Sequence, residues 1–168
     1  MLNKPAGVVS ATKDGTHRTV IDVVATPGSE ELHIAGRLDF NSTGLLLLTN
    51  DGAWSRGLIG PEHSVVKRYR VTLEKPLNQE YVEAFAAGMY FDYEGITTRP
   101  ATLDIISDYV AEVGLVEGRY HQIKRMFGRF QNRVLTLHRY AIGGVSLDAS
   151  LSLGQSRQLT KTEIDTIV

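Results

Sequence analysis

The sequence has 168 residues and a formal net charge of −1, and its 42% hydrophobic and 22% charged residues exclude an intrinsically disordered chain. It contains no cysteine, which excludes a disulfide framework, a zinc–thiolate site and a cysteine nucleophile. No apolar run approaches the roughly 20 residues of a membrane helix, and residues 1–10 lack the apolar segment of a signal peptide. We therefore expect one soluble, cytoplasmic domain that spans residues 1–168.

Short segments with strand and helix character alternate along the first half of the chain. After a turn at residues 4–7, the pattern predicts a strand at 8–10, a helix at 19–25, a buried strand at 45–49, and a turn at 50–52 that caps a short helix ending at 58. Residues 65–73 alternate basic and apolar side chains, as a strand does. Asn78 is placed to cap a helix whose apolar stripe includes Val82 and Phe85, with Gly88 near its end.

The second half of the chain continues this alternation. It predicts strands at 101–106 and 109–116, a helix at 119–130 and a strand at 134–137. The helix carries an apolar stripe of Ile123, Met126, Phe127 and Phe130. Residues 160–163 form a capping-box pattern that predicts a C-terminal helix. The whole pattern indicates a single α+β unit.

Charge is segregated along the sequence. Residues 76–117 contain eight acidic residues and one basic residue, whereas residues 118–140 contain six basic residues and no acidic one. Lys67, Arg68 and Arg70 form a second basic cluster. Such segregation lets a nearly neutral domain present one positive face to phosphate, although a solvated helix surface explains a basic run equally well.

The most informative segment is the polar loop 36–45, which directly precedes the predicted buried strand. Its Asp39 allows three interpretations: a turn-forming residue, a calcium ligand, or a catalytic carboxylate. The calcium interpretation fails, because the ninth and twelfth loop positions would be Leu47 and Asn50. The other two interpretations remain open on the residues alone.

Motifs for cofactor-dependent chemistry are missing from the sequence. The five histidines lack the spacing of a metal site, and neither a Gly-x-Ser-x-Gly elbow, a phosphate-binding P-loop nor a dinucleotide-binding glycine pattern occurs. We therefore expect neither a metal nor an organic cofactor.

Four separated motifs resemble one family. They read GRLDFNSTG at 36–44, KRYRV at 67–71, EGRYHQIKRMF at 117–127 and LHRYAIG at 137–143. Together they resemble the catalytic domain of the ribosomal pseudouridine synthases, in particular the branch that acts on 16S ribosomal RNA. The first residues, LNKPAGVVSAT, and the late segment LTKTEI match the ends of that domain as well. The resemblance implies a mixed, mainly antiparallel sheet with flanking helices and a central cleft.

The resemblance also implies roles for individual residues. Asp39 matches the family's catalytic nucleophile, Tyr69 its active-site tyrosine, and Lys124 the basic partner of the aspartate, where many relatives carry arginine. Ile123 and Leu137 match apolar positions that line the uracil pocket, although packing alone explains apolar residues there. Basic residues expected to contact RNA phosphates are Arg37, Arg119, Arg125, Arg129 and Arg139.

The expected function is therefore isomerisation of a specific uridine of 16S ribosomal RNA, with an assembly intermediate as substrate and a monomer as the active form. Two alternatives remain: a synthase for 23S ribosomal RNA, and a non-catalytic RNA-binding or ribosome-assembly module. The family's usual N-terminal RNA-binding domain of about 60 residues has no counterpart in this sequence, so we expect weak, salt-sensitive RNA binding.

Overall fold

The structure is a computed structural model that describes residues 1–60 and 64–167. Within these residues the strands are β1 (Leu2–Lys4), β2 (His33–Ala35), β3 (Thr43–Thr49), β4 (Lys67–Leu73), β5 (Tyr90–Phe91), β6 (Ile96–Thr97), β7 (Thr102–Ser107), β8 (Val110–Leu115), β9 (Val134–Ile142) and β10 (Val145–Ser146). The helices are α1 (Val20–Val24), α2 (Gly52–Ile59), α3 (Gln79–Ala87), α4 (Gln122–Gly128) and α5 (Lys161–Thr166), and Ser29–Glu31 form a 3-10 turn.

A mixed, mainly antiparallel sheet organises the chain and confirms the predicted α+β fold. Its strands lie in the order β1-β3-β9-β4-β8-β7, with β2 paired to β3 and β10 paired to β9. Only β3 and β9 pair in parallel among the strands that the structure describes. The separate hairpin of β5 and β6 lies outside this sheet.

Strand β3 is buried on both faces, which explains its continuous run of leucines. Leu46 belongs to a core with Phe85 of α3 and Phe127 of α4. Leu45 and Leu47 point to the opposite face, in a second core that includes Leu58 of α2. The predicted buried strand at 45–49 is therefore confirmed, and two hydrophobic cores pack against its two faces.

The predicted helix caps are also present. Asn78 accepts a hydrogen bond from the first turn of α3, which ends at Gly88, and Asp51 caps α2. Thr160 and Glu163 form the predicted capping box of α5.

Among the described residues, no helix is long and apolar enough to cross a membrane.

Several strand predictions are wrong. Residues 8–10 are not a regular strand; β1 instead precedes the turn, and Val9 makes only an isolated bridge to Thr19. The strand predicted at 134–137 continues to Ile142, and half-buried residues alternate with buried ones between Leu137 and Ala141. The strands β2, β5, β6 and β10 were not predicted, since runs of two or three residues carry no periodic pattern. The helix predicted at 119–130 is shorter than expected.

The parallel contact between β3 and β9 depends on Gly44. Gly44 pairs with Arg139, and its φ of +112° lies in a region that favours glycine. A Cβ at this position would lie 2.1 Å from the Arg139 carbonyl oxygen. The two backbones can approach this closely only because residue 44 has no side chain.

We predict that Gly44→Ala lowers the free energy of unfolding by about 3 kcal/mol or more, since it adds both a backbone clash and an unfavourable φ. Gly57→Ala is the matched control, because a Cβ there would meet nothing within 4 Å and the residue lies inside α2. This control is expected to be neutral or to stabilise by up to about 1 kcal/mol. Urea-induced unfolding measures the free energy of unfolding of both variants. Equal stability of the two variants would contradict the prediction.

Candidate active site

Asp39 lies in the loop that connects the antiparallel strands β2 and β3. The backbone of this loop is fixed by hydrogen bonds to its carbonyl oxygens. Ser10 Oγ donates to the Leu38 carbonyl at 2.6 Å, and the Ser42 amide donates to the Asp39 carbonyl at 3.0 Å. The Gly7 amide donates to the Phe40 carbonyl at 2.9 Å. The N-terminal segment thus serves as a scaffold for the loop.

Lys4 is a buried cation beneath the same loop. Lys4 is fully buried, and its Nζ donates to the carbonyl oxygens of Phe40 at 3.1 Å, Ser42 at 2.9 Å and Pro5 at 3.0 Å. Burial lowers the pKa of Lys4 to about 8, while the negative charge of Asp39 opposes that shift. Lys4 therefore fixes the backbone on the C-terminal side of Asp39 and adds positive charge near its carboxylate.

Arg139 fixes the other side of the loop, which corrects the phosphate role predicted for it. Only 1% of the residue is exposed. Its Nη2 donates to the Gly36 carbonyl at 2.9 Å, Nη1 to the Arg37 carbonyl at 3.4 Å, and Nε to the Leu45 carbonyl at 2.8 Å. Because the loop covers this guanidinium, it is not available to RNA phosphate.

The Asp39 carboxylate faces the beginning of α4. Its Oδ2 lies 3.6 Å from Lys124 Nζ, and its Oδ1 lies 3.5 Å from His121 Nε2. The Asp39 side chain is 29% exposed, so it is accessible from the cleft while much of it is shielded from water. Each carboxylate oxygen thus has a nitrogen of its own nearby, and the pair predicted for Asp39 and Lys124 is present.

The cleft beside Asp39 combines an aromatic ring with apolar walls. It has a volume of about 470 Å³, including its open mouth. Tyr69 of β4 lines it, together with the predicted pocket residues Ile123 and Leu137. Leu38 and Leu115 also line the cleft. The surface offers a flat ring and aliphatic side chains next to a carboxylate, which suits a planar, partly polar ring.

Segment 117–122 forms one side of the cleft and is held by Glu117. The Oε2 of Glu117 accepts a hydrogen bond from Arg119 Nε at 3.0 Å, and Oε1 accepts one from Gln122 Nε2 at 2.9 Å. Arg119 and Arg37, for which we predict contacts with RNA phosphates, both line the cleft. Arg37 is the more exposed of the two.

Arg125 and Arg129 contact the hairpin of β5 and β6 instead of lining the cleft. Arg125 Nη2 lies 2.7 Å from Glu94 Oε2, and its guanidinium carbon lies 3.9 Å from the centre of the Phe91 ring. Arg129 Nη1 donates to the Tyr90 carbonyl at 2.6 Å. Both side chains connect α4 to the hairpin of β5 and β6, so the structure favours a structural role over the phosphate role that we predicted.

His121 and Lys4, which the structure places at the site, were not predicted from the sequence. His121 lies within a quoted motif, but its spacing from other residues gave no reason to place it beside Asp39. Lys4 had one usable signal, a lysine at the end of a short segment that otherwise suits a buried strand. Among the described residues, no group of three or more histidine and carboxylate side chains is arranged to hold a metal ion.

Comparison with known proteins gives consistent matches over nearly the whole chain. Residues 1–128 match the family described as RNA pseudouridylate synthase. The chain is 52% identical over 164 residues to ribosomal small subunit pseudouridine synthase A of Pseudomonas aeruginosa, covering 98% of this chain and 71% of that protein. It is 46% identical over 168 residues to the protein of that name from Escherichia coli (strain K12), covering 100% and 73%. A crystal structure of a pseudouridylate synthase matches with a TM-score of 0.95 at 45% identity, covering 99% and 72%.

We predict that Lys4→Met destabilises the protein by about 2–4 kcal/mol, because it leaves buried carbonyl oxygens of the loop without a donor. Lys13→Met is the matched control, since Lys13 is exposed and its replacement is expected to cost no more than about 0.5 kcal/mol. Thermal unfolding compares the two. Wild-type stability in Lys4→Met would show that Lys4 does not hold the loop.

Proposed function

The chain belongs to the RNA pseudouridylate synthase family, and on that premise we propose that it converts a uridine of small-subunit ribosomal RNA into pseudouridine. The observation that carries the proposal is the Asp39 carboxylate, placed between Lys124 and His121 at a cleft that Tyr69 lines. We further propose that residues 1–168 form one catalytic domain.

The reaction is an isomerisation, so its atoms balance without a second substrate. The bond between N1 of uracil and C1′ of ribose breaks, and a bond between C5 and C1′ forms. C5 loses a proton and N1 gains one. No electron is gained or lost overall, so the protein must supply a nucleophile or anion, a binding site for the ring, and groups that transfer protons.

Asp39 is the group best placed to act on the glycosidic bond. A carboxylate can attack C1′ or the pyrimidine ring, or stabilise the positive charge that develops on the sugar. All three routes require an ionised carboxylate at a fixed position. The hydrogen-bonded loop supplies the fixed position, and the ammonium group of Lys124, 3.6 Å from Asp39 Oδ2, stabilises the charge.

Tyr69, Ile123 and Leu137 are proposed to hold the uracil ring. The target base must leave its stack, at a cost of a few kcal/mol, and contacts in the pocket offset that cost. The ring of Tyr69 offers a stacking surface, and its hydroxyl offers a group for proton transfer. The aliphatic side chains of Ile123 and Leu137 exclude water from the ring.

Arg37 and Arg119 are proposed to contact the RNA backbone at the mouth of the cleft. Phosphate contacts position a strand without reading its sequence, so the choice of uridine depends on RNA shape and on flanking unpaired bases. Binding through a few arginines predicts an affinity that falls as salt rises.

The proposed RNA follows from the relatives. Both named proteins are small-subunit synthases, and near-complete coverage at 46–52% identity supports the same RNA for this chain over the large subunit. A binding-only module is not favoured, because phosphate binding does not require a carboxylate at the centre of a positive cleft. We also propose that the protein acts as a monomer in the cytoplasm, on an intermediate of ribosome assembly.

We predict that Asp39→Asn abolishes pseudouridine formation, by about 1,000-fold or more, while RNA affinity is retained. The measurement is site-resolved mapping of pseudouridine in unmodified small-subunit and large-subunit RNA, both naked and with ribosomal proteins bound. Asp104→Asn is the control, because Asp104 is an exposed residue of β7. A single new pseudouridine in small-subunit RNA, lost only in Asp39→Asn, is the expected result. No product on any substrate would overturn the proposed function.

We predict that Lys124→Met lowers kcat by about 100-fold with a smaller change in KM, because it removes the cation beside Asp39. Lys124→Arg retains the positive charge and is expected to recover part of the loss. Lys161→Met, at an exposed position of α5, is the control. Single-turnover kinetics separates the chemical step from binding. A kcat in Lys124→Met equal to that of the wild type would contradict the assigned role.

A further inference from the structure

Tyr120 is a large aromatic residue that the fold leaves almost uncovered. It is 77% exposed and belongs to neither hydrophobic core. Its hydrophobic ring therefore contributes little to packing. It nevertheless lies directly before His121, whose imidazole is 3.5 Å from the Asp39 carboxylate.

The exposed Tyr120 ring packs against the ring of the next residue. It stacks on the His121 ring, with 3.9 Å between the ring centres and 16° between the planes. The Tyr120 carbonyl accepts a hydrogen bond from Arg125 Nη1 at 3.1 Å. His121 has a φ of +48°, an uncommon conformation for a residue with a side chain, and its Nε2 lies 3.5 Å from Asp39 Oδ1. A binding partner thus meets a preformed aromatic surface.

The stack leads from the reaction centre towards solvent. His121 lines the cleft, and Tyr120 is the more exposed of the two rings. Arg119, the preceding residue, lines the cleft as well; its Nε donates to Glu117, and we expect its remaining nitrogens to contact a nearby phosphate. When the base of one nucleotide occupies the cleft, the adjacent nucleotide of the RNA lies at the mouth of the cleft, next to this stack.

We propose that the pair Tyr120–His121 is a nucleobase subsite, in which the base next to the target uridine stacks on the free face of Tyr120. The inference rests on the proposed RNA function. Flipping the uridine removes one base from the stack, so the neighbouring base loses a partner on one side. An exposed tyrosine ring replaces that partner, and stacking on aromatic side chains is the common way in which proteins hold unpaired bases.

The first experiment compares Tyr120→Ala, Tyr120→Phe and a control, Tyr109→Ala. Tyr109 is 48% exposed and lies in the turn between β7 and β8, about 20 Å along β8 from the cleft residue Leu115. Tyr120→Ala is expected to raise KM for a ribosomal RNA fragment by about 5- to 100-fold, while Tyr120→Phe and Tyr109→Ala change it less than about twofold. Retained binding in Tyr120→Phe shows that the ring, and not the hydroxyl, is required.

The second experiment removes the base instead of the ring. RNAs that lack the base on the 5′ or the 3′ side of the target uridine are compared on the wild type and Tyr120→Ala. For one of the two RNAs, deleting the base is expected to weaken binding to the wild type as much as Tyr120→Ala weakens binding of the intact RNA. The same base deletion is expected to cause no further loss of affinity for Tyr120→Ala. Additive losses at both positions, or an unchanged KM in Tyr120→Ala, would overturn the subsite.

The proposed function and the subsite fail in different ways. An inactive wild type on every ribosomal RNA refutes the function, whereas an active wild type with normal KM in Tyr120→Ala refutes only the subsite. The same comparison of RNAs is also made by fluorescence anisotropy in the Asp39→Asn background, which reports affinity without turnover. Equal affinity of the intact and base-deleted RNAs there would also overturn the subsite.

Discussion

The site depends on one constraint, which is that the backbone carbonyls of the Asp39 loop accept hydrogen bonds from groups on distant parts of the chain. From Gly36 to Phe40, each carbonyl oxygen has a donor. The donors come from β1, from the segment that follows it, from β9 and from the loop itself. A loop whose carbonyls are all satisfied has little freedom to rearrange, so the carboxylate that it carries stays in place without the regular pairing of a strand.

Two of these donors are buried cations, and they give the loop a charge environment as well as a shape. Lys4 and Arg139 donate to neutral carbonyls, so the hydrogen bonds do not neutralise their charge. The charge of Asp39 raises the pKa of Lys4 against the effect of burial, so these two side chains interact electrostatically. Burial, together with the charge of Arg139, also lowers the pKa of Lys67 on the neighbouring strand. Lys4 thus both holds the loop and places positive charge near the Asp39 carboxylate, whereas Arg139 contributes hydrogen bonds to the loop.

Local patterns in the sequence predict local structure well, and they fail where the partner is distant. The caps of α3 and α5 and the buried strand of leucines follow from short-range rules, and all are present. Arg139 looks like a surface residue within a basic run, because its carbonyl partners lie about a hundred residues earlier in the chain. The same limit applies to His121, whose approach to Asp39 depends on a backbone turn that no periodicity reveals. Family motifs located Asp39 and Lys124, yet only the fold separates Arg37 and Arg119 at the cleft from Arg125, whose side chain contacts the hairpin of β5 and β6.

The contacts of Arg139 have a consequence for the newly made chain. Its hydrogen bonds to Gly36 and Leu45 span 103 and 94 residues, and β9 must pair with β3 before they form. During translation, β2 and β3 leave the ribosome long before residue 139 does, and until then the Gly36 and Arg37 carbonyls lack the donor that Arg139 provides. The contacts that Arg139 makes with the Asp39 loop therefore form only after residue 139 has left the ribosome. Until β9 pairs with β3, the loop lacks one of the two buried cations that hold it.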